Sequence, residues 1–296
     1  MGPVIGQGLP EETVQDPDEG VRDKTMSVLE VVGARLYYEV RGVGPMLVVV
    51  PGAKGEADTY RHLAQELSRR YRVVAYDRRG FSRSTLDGPQ DYDHRLATDT
   101  DDLRSLIAHL SDQPATVFGN SSGAIVALDL LTHHPELVRT VVAHEPPTVN
   151  LLPDAATWRD FFDSVYDTYR TSGIPTAMRT FATGAFSDTD RRTMHRQTMQ
   201  HTNDRYRETN TTYWMEHELR QYPRVDLDLD ALAARTGKLV LAAGRESRGH
   251  LTYRTSEALA QKLGTDVVEL PGGHIGCVTK PAEFATELVD ALANRP

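Results

Sequence analysis

The chain has 296 residues, 39% hydrophobic and 25% charged, which suits one large α/β domain with room for an insertion. No stretch reaches the ~20 apolar residues of a membrane span. The formal charge of −9 argues against nucleic acid and anionic membranes as partners, and the single cysteine, Cys277, excludes a disulfide framework or a cysteine-rich metal site. The first residues lack a basic segment followed by an apolar run, so no secretory signal is expected and a cytoplasmic location is the default.

Residues 1–26, dominated by Gly, Pro, Glu and Asp, are expected to form a tail. Val28–Val32 and Ala34–Val40, joined by Gly33, read as a hairpin. Met46–Val50 is a continuous apolar run, as in a strand buried on both faces, and it ends in the tight loop Pro51-Gly52-Ala53-Lys54-Gly55. A helix is predicted over Asp58–Arg69, a strand over Arg72–Tyr76, then the turn Asp77-Arg78-Arg79-Gly80-Phe81 and a helix over Asp93–Leu110. The short β-prone run Ala115–Phe118 leads into Gly119-Asn120-Ser121-Ser122-Gly123 and helix-compatible residues with no breaker before Pro135. Val138–Ala143 is the next strand and leads to His144-Glu145-Pro146-Pro147.

Beyond Pro147 the texture changes. No buried strand is found over 150–223, where helical stretches cover Asp154–Arg170, Pro175–Phe181 and, with possible breaks, Asp188–Arg220, and hold both tryptophans, Trp158 and Trp214. This segment is expected to be a helical cap inserted between core segments 27–149 and 224–296. The alternating pattern resumes with a strand at Lys238–Ala242, a helix at Leu251–Leu263 and a strand at Asp266–Leu270. The loop Pro271-Gly272-Gly273-His274 and a closing helix at Pro281–Ala293 follow. Strands alternating with helices imply a mostly parallel sheet covered on both faces, with ligands outside the carboxyl ends of the strands.

The chemistry centres on Ser121. A serine in strand–Gly-x-Ser-x-Gly–helix sits on a sharp turn with its hydroxyl lifted free, and the helix starting behind it favours negative charge. A serine hydroxyl needs a base within hydrogen-bond reach and an acid to orient that base. His274, in a glycine loop after the last strand, is the base candidate. Two carboxylates compete for the acid: Glu145, held between His144 and a Pro-Pro pair, and Glu246 in Gly244-Arg245-Glu246-Ser247. Loop rigidity favours Glu145, and the flanking Arg245 and Arg248 suit Glu246 to an ordinary surface ion pair. An oxyanion hole needs two backbone N–H donors, expected from Ser122 and Ala53. No glycine-rich phosphate loop occurs and no cofactor or metal is expected. The cap aromatics suggest a roomy apolar pocket for a bulky substrate.

Ser121, His274 and the Asp77-Arg78-Arg79-Gly80-Phe81 turn resemble the α/β-hydrolase superfamily over residues 27–296. That resemblance implies a mostly parallel eight-stranded sheet flanked by helices, with the 150–223 segment as a lid. Val50-Pro51 followed by Gly55-Glu56, Gly119-x-Ser121-Ser122-Gly123-Ala124 and His144-Glu145-x-Pro147-Thr148 further resemble the zearalenone lactonases. In that family the Glu of His-Glu-x-Pro is the acid, which maps to Glu145, and a cap tryptophan meets the substrate, which maps to Trp214. Gly52 and Pro147 are the further substrate contacts expected. The resemblance implies a serine hydrolase acting on a small apolar ester or lactone. General carboxylesterase, carbon–carbon bond hydrolase and non-catalytic receptor stay open as alternatives, as does assembly into a homo-oligomer.

Overall fold

The computed structural model describes residues 24–200 and 206–293. Nine strands form one sheet: β1 (Lys24–Val31), β2 (Ala34–Arg41), β3 (Met46–Val50), β4 (Arg72–Tyr76), β5 (Thr85–Leu86), β6 (Ala115–Asn120), β7 (Val138–His144), β8 (Leu239–Gly244) and β9 (Val267–Leu270). Eight of them run in the order β1-β2-β4-β3-β6-β7-β8-β9, and the two-residue β5 pairs with β2. The β1–β2 and β2–β4 pairs are antiparallel, and every pair from β4 to β9 is parallel. This is the α/β-hydrolase architecture. β3, β6 and β8 are buried at every residue, as continuous apolar runs covered on both faces must be.

The helices are α1 (Arg61–Leu67), α2 (Arg95–Leu110), α3 (Ser122–His133), α4 (Ala155–Ser172), α5 (Ile174–Ala185), α6 (Asp188–Gln200), α7 (Arg207–His217), α8 (Leu229–Ala233), α9 (Leu251–Leu263), α10 (Gly276–Thr279) and α11 (Pro281–Ala293). Two cores flank the sheet. Leu103, Leu106, Ile107, Ile125, Leu128 and Leu259 from α2, α3 and α9 pack on one face. Leu63, Leu67, Phe284 and Leu288 from α1 and α11 pack on the other. Each fully buried Leu, Ile or Phe side chain contributes about 1.5–3 kcal/mol relative to leaving it in water.

α4–α7 lie between β7 and β8 in sequence and form a separate cluster with Phe162, Phe181, Phe186, Trp214 and Met215 buried within it. Phe81 and Val149, from loops of the sheet layer, belong to the same cluster and seat these helices on the sheet. Register explains where the active loops emerge. Val50 pairs with Gly119, Asn120 with His144, His144 with Ala242, and Gly244 with Leu270. The carboxyl ends of β3, β6, β7, β8 and β9 therefore fall level, and their loops meet above one edge of the sheet.

Several boundaries differ from the sequence expectation. Of the expected tail, residues 1–23 lie outside the described ones, but Lys24–Met26 are already strand. Lys24 pairs with Arg41 and its Nζ lies 2.9 Å from Glu39, so pairing to β2 extends a segment with no apolar pattern. The predicted Asp58 helix start is a 3₁₀ turn over Ala57–Tyr60, and α2 begins two residues late, at Arg95. The helical stretch Asp188–Arg220, expected with possible breaks, is described as α6 and α7, and α7 ends three residues early, at His217; residues 201–205 lie outside the described ones.

Candidate active site

Ser121 holds φ 57° and ψ −123°, a left-handed conformation costly for a residue with a side chain. Close packing enforces it. A Cβ on Gly119 would lie 2.3 Å from the Gly123 carbonyl oxygen, and one on Gly123 would lie 2.2 Å from that of Val50. Only glycine lets β3, β6 and α3 approach so closely. The Ser121 N–H donates to the His144 carbonyl at 2.9 Å, and Ser122 opens α3 directly behind the serine.

Glu145 is the second strained residue, with φ 51°, and it is fully buried. Its N–H donates to the Ala242 carbonyl at 3.0 Å and its Oε1 accepts the Gly244 N–H at 2.8 Å. Its Oε2 accepts the Thr252 hydroxyl and lies 2.7 Å from His274 Nδ1. Burial opposes the carboxylate charge. The hydrogen bond and charge of His274, with help from the Thr252 hydroxyl, outweigh it and hold the pKa at about 2. Glu246 is elsewhere. It forms an ion pair with Lys280 at 2.7 Å, and only its backbone N–H meets the histidine loop, at the Gly272 carbonyl. The structure brings Glu145, and not Glu246, to the imidazole.

Behind these loops runs a buried polar network that the sequence reading missed. The Gly52 N–H donates to the Tyr60 hydroxyl at 3.2 Å, which donates to Asn120 Oδ1 at 2.9 Å. Asn120 Nδ2 donates to His144 Nδ1 at 2.9 Å and to the His274 carbonyl at 3.2 Å. One side chain thus ties together the loops after β3, β6, β7 and β9. The loop after β3 has a second anchor. Arg78, 1% exposed, donates to the Gly52 carbonyl at 3.0 Å while bonding Glu218 at 2.7 and 3.0 Å and Asp99 at 2.8 Å. Arg95 bridges the same two carboxylates at 3.2 and 3.3 Å, so two cations and two anions are buried together. Ala53 follows Gly52 in this loop and is half-buried against the α4–α7 cluster. A Cβ on Gly52 would sit 3.0 Å from that of Ser121, so this loop lies directly against the serine.

The helical layer also reaches the histidine. Phe186 stacks on the His274 ring, with centroids 4.7 Å apart and planes 25° apart. Asp190, 3% exposed, accepts the His274 N–H at 3.0 Å and the Ile275 N–H at 3.4 Å. The only local signal for this contact is Ser187-x-x-Asp190, the pattern of a helix start. Trp214 packs on Phe181 at 5.1 Å, and Phe181 on Phe186 at 5.2 Å. These rings pack against one another and are nearly buried. Pro147 is buried in the loop that also carries Glu145, and its carbonyl accepts the Val149 N–H. A polar cavity of about 360 Å³, lined by Asp190, Arg196, Glu246, Gly273 and Lys280 among others, lies beside the His274 loop. Ser121 and the stacked aromatics are not among its lining residues.

Residues 47–287 match the model of the alpha/beta hydrolase family. The uncharacterized hydrolase YraK of Bacillus subtilis (strain 168) is 36% identical over 270 residues, spanning 89% of this chain and 94% of that protein. A zearalenone hydrolase of Bionectria ochroleuca is 35% identical over 118 residues, spanning 39% of this chain and 45% of that protein. Among solved structures, the enol-lactonase from Burkholderia xenovorans LB400 superposes with a TM-score of 0.67 at 19% identity, covering 90% of this chain and all (100%) of that one. The α/β hydrolase MGS-M2 from a deep-sea metagenome superposes with a TM-score of 0.74 at 16% identity, covering 91% and 98%. With its level strand ends, its strained serine turn and this family match, the chain belongs to the alpha/beta hydrolase family and is a hydrolase.

Proposed function

We propose that this enzyme cleaves an ester or lactone through an acyl-enzyme, with Ser121 as nucleophile, His274 as base and Glu145 as the orienting acid. The observation that carries the reading is the 2.7 Å contact from His274 Nδ1 to a Glu145 carboxylate whose other oxygen is held by the Gly244 N–H. Such an acid fixes which imidazole nitrogen carries the proton and leaves Nε2 free to accept another.

Ser121 Oγ bonds to the carbonyl carbon of the substrate as its proton passes to His274 Nε2. The carbonyl oxygen becomes an oxyanion, and the N–H groups of Ala53 and Ser122 are the donors suited to receive it. Glu145 stays ionised throughout, since its pKa lies near 2, and stabilises the imidazolium without taking its proton. Collapse of the intermediate breaks the carbonyl–oxygen bond, and His274 protonates the departing alkoxide. Water, deprotonated by His274, then attacks the acyl-enzyme and releases the acid. In a lactone the alcohol stays tethered, so the product is one ring-opened hydroxy acid. Relatives named zearalenone hydrolase and the enol-lactonase among the structural neighbours favour a lactone, and the aromatic layer of Phe181, Phe186 and Trp214 favours an apolar one.

The test is a hydrolysis panel of p-nitrophenyl esters, aliphatic lactones and zearalenone, run on the wild type, Ser121→Ala, Glu145→Gln and Glu246→Gln. Lactone opening is expected to vanish in Ser121→Ala and to fall by about 10³–10⁴ in Glu145→Gln. Glu246→Gln should stay within about threefold of the wild type, as expected for a partly exposed ion pair. Loss of activity confined to Glu246→Gln would reverse the acid assignment. Turnover of esters alone would discard the lactone.

A further inference from the structure

We propose that Asp190 is a positioning residue for His274. By holding the backbone of the histidine loop, it makes reactivity of the base depend on seating of the α4–α7 layer. The inference rests on the reading of His274 as general base.

His274 is gripped at four places. Asn120 Nδ2 donates to its carbonyl at 3.2 Å, and Glu145 lies 2.7 Å from Nδ1. Both come from the sheet layer. The other two come from α6 and the turn before it. Phe186 covers the ring face, and Asp190 Oδ2 accepts the backbone N–H at 3.0 Å. Asp190 Oδ1 takes the next N–H, of Ile275, at 3.4 Å. In a capping box the acid of the first turn bonds back to its own helix start. Here Ser187 Oγ accepts the Asp190 N–H at 3.2 Å as a cap should, and its hydroxyl donates to Asp190 Oδ2 at 2.8 Å. That bond steadies the carboxylate, which bonds a loop 84 residues further along the chain.

The histidine loop is shaped to receive it. A Cβ on Gly273 would lie 2.3 Å from Asp190 Oδ2 and 2.7 Å from Oδ1, so any larger residue at 273 must displace the carboxylate from this position. Gly272, at φ 83°, turns the chain so that two successive N–H groups reach one carboxylate. Without Asp190 the loop keeps its sheet-side anchors and loses the only described acceptor of the His274 backbone N–H.

A misplacement of about 1 Å at a reacting group can cost ~10² in rate. Asp190→Ala is therefore expected to lower kcat about 10–100-fold with KM within about twofold. The downfield proton resonance of His274 Nδ1–H should broaden or disappear. Asp190→Asn keeps one acceptor oxygen and should recover most of the rate. Gly273→Ala leaves Asp190 in the chain and pushes it off the loop, so it should reproduce the Asp190→Ala loss by an independent route. If Asp190→Ala fails to fold, Gly273→Ala carries the same decision, with Asp190→Asn as the rescue control. An unchanged resonance, with kcat per folded molecule equal to the wild type in Asp190→Ala or Gly273→Ala, overturns the proposal. So does a rise in KM with kcat intact. Ser121→Ala is run alongside. Full activity there sinks the triad reading itself, whereas an inactive Ser121→Ala beside a fully active Asp190→Ala removes only the positioning role.

Discussion

His144 should cost this enzyme stability as the pH falls from about 6.5 towards 4. The side chain is fully buried at the end of β7. Asn120 Oδ1 accepts from Tyr60, so Asn120 Nδ2 faces His144 Nδ1 as a donor. Nδ1 must then be the lone-pair nitrogen, and the imidazole is neutral with its proton on Nε2. Protonation would point two donors at each other. Nε2 is itself buried without a hydrogen-bond partner among the described residues. Burial pushes the pKa down to about 4, against an attraction from Glu145 that is too weak to offset it. An unfolded histidine titrates near 6.5. The folded-state value is depressed, so the stability is fully present above about pH 6.5 and is lost as pH falls towards 4. At about pH 4.5 the loss relative to pH 7 is about 2.5 kcal/mol. His144→Phe removes the titration and fits beside Phe118 and Phe284, which already flank the ring. It forfeits the bond from Asn120, about 1 kcal/mol at every pH. Urea unfolding followed by tryptophan fluorescence near pH 7 and near pH 4.5 should show the variant slightly weaker at the higher pH and losing about 2.5 kcal/mol less on the way down. Equal losses in the two proteins would refute the assignment of a buried neutral His144.

Two further perturbations have defined outcomes. Gly52→Ala places a Cβ 2.9 Å from the Asn120 carbonyl oxygen and 3.0 Å from Ser121 Cβ, which must push the Ala53 N–H away from the serine. If the Ala53 N–H is the oxyanion donor proposed above, steady-state kinetics should show kcat down by about 10²–10³ with KM little changed. Glu218→Ala leaves Arg78 and Arg95 buried with Asp99 as their shared carboxylate, and urea unfolding should register a loss of about 3–5 kcal/mol. A loss under about 1 kcal/mol would mean that water or relaxation neutralises the site.

What could be read before folding was whatever a short stretch of chain expresses. The apolar runs of β3 and β4, the Gly-x-Ser-x-Gly turn and the glycine loop before His274 are local patterns enforced by local sterics. Glu145 and Glu246 both follow strands, and the Pro-Pro pair beside the first and the arginines beside the second were enough to favour Glu145. How Glu145 is held was not legible, because that depends on the register of β7 against β8, which brings Gly244 to its carboxylate. Asp190 and Glu218 were invisible as site residues. Their partners lie 84 and 140 residues away, and nothing in α6 or in the turn after α7 marks a carboxylate that will cross to another layer. β5 was missed because two residues carry no periodicity, and Lys24–Met26 because a polar edge segment becomes strand only when β2 is beside it.

The α4–α7 insertion leaves and re-enters the sheet at adjacent strands, which invites treating it as an exchangeable module for altering specificity. Its attachment says otherwise. Asn210 bonds the Lys54 carbonyl, Glu218 bonds Arg78, and Asp190 bonds the His274 loop, so these three side chains stitch the insertion to the core at separated points, beside further contacts such as Asp154 with Arg254. A graft that swapped residues 150–223 for a foreign segment of matching length would leave Arg78 without its second carboxylate and the His274 loop without its cap-side acceptor. Chimeras should therefore retain these three side chains, or else replace Arg78 and Gly273 together with the insertion. Engineering a new substrate range is better confined to the apolar positions between the stitches.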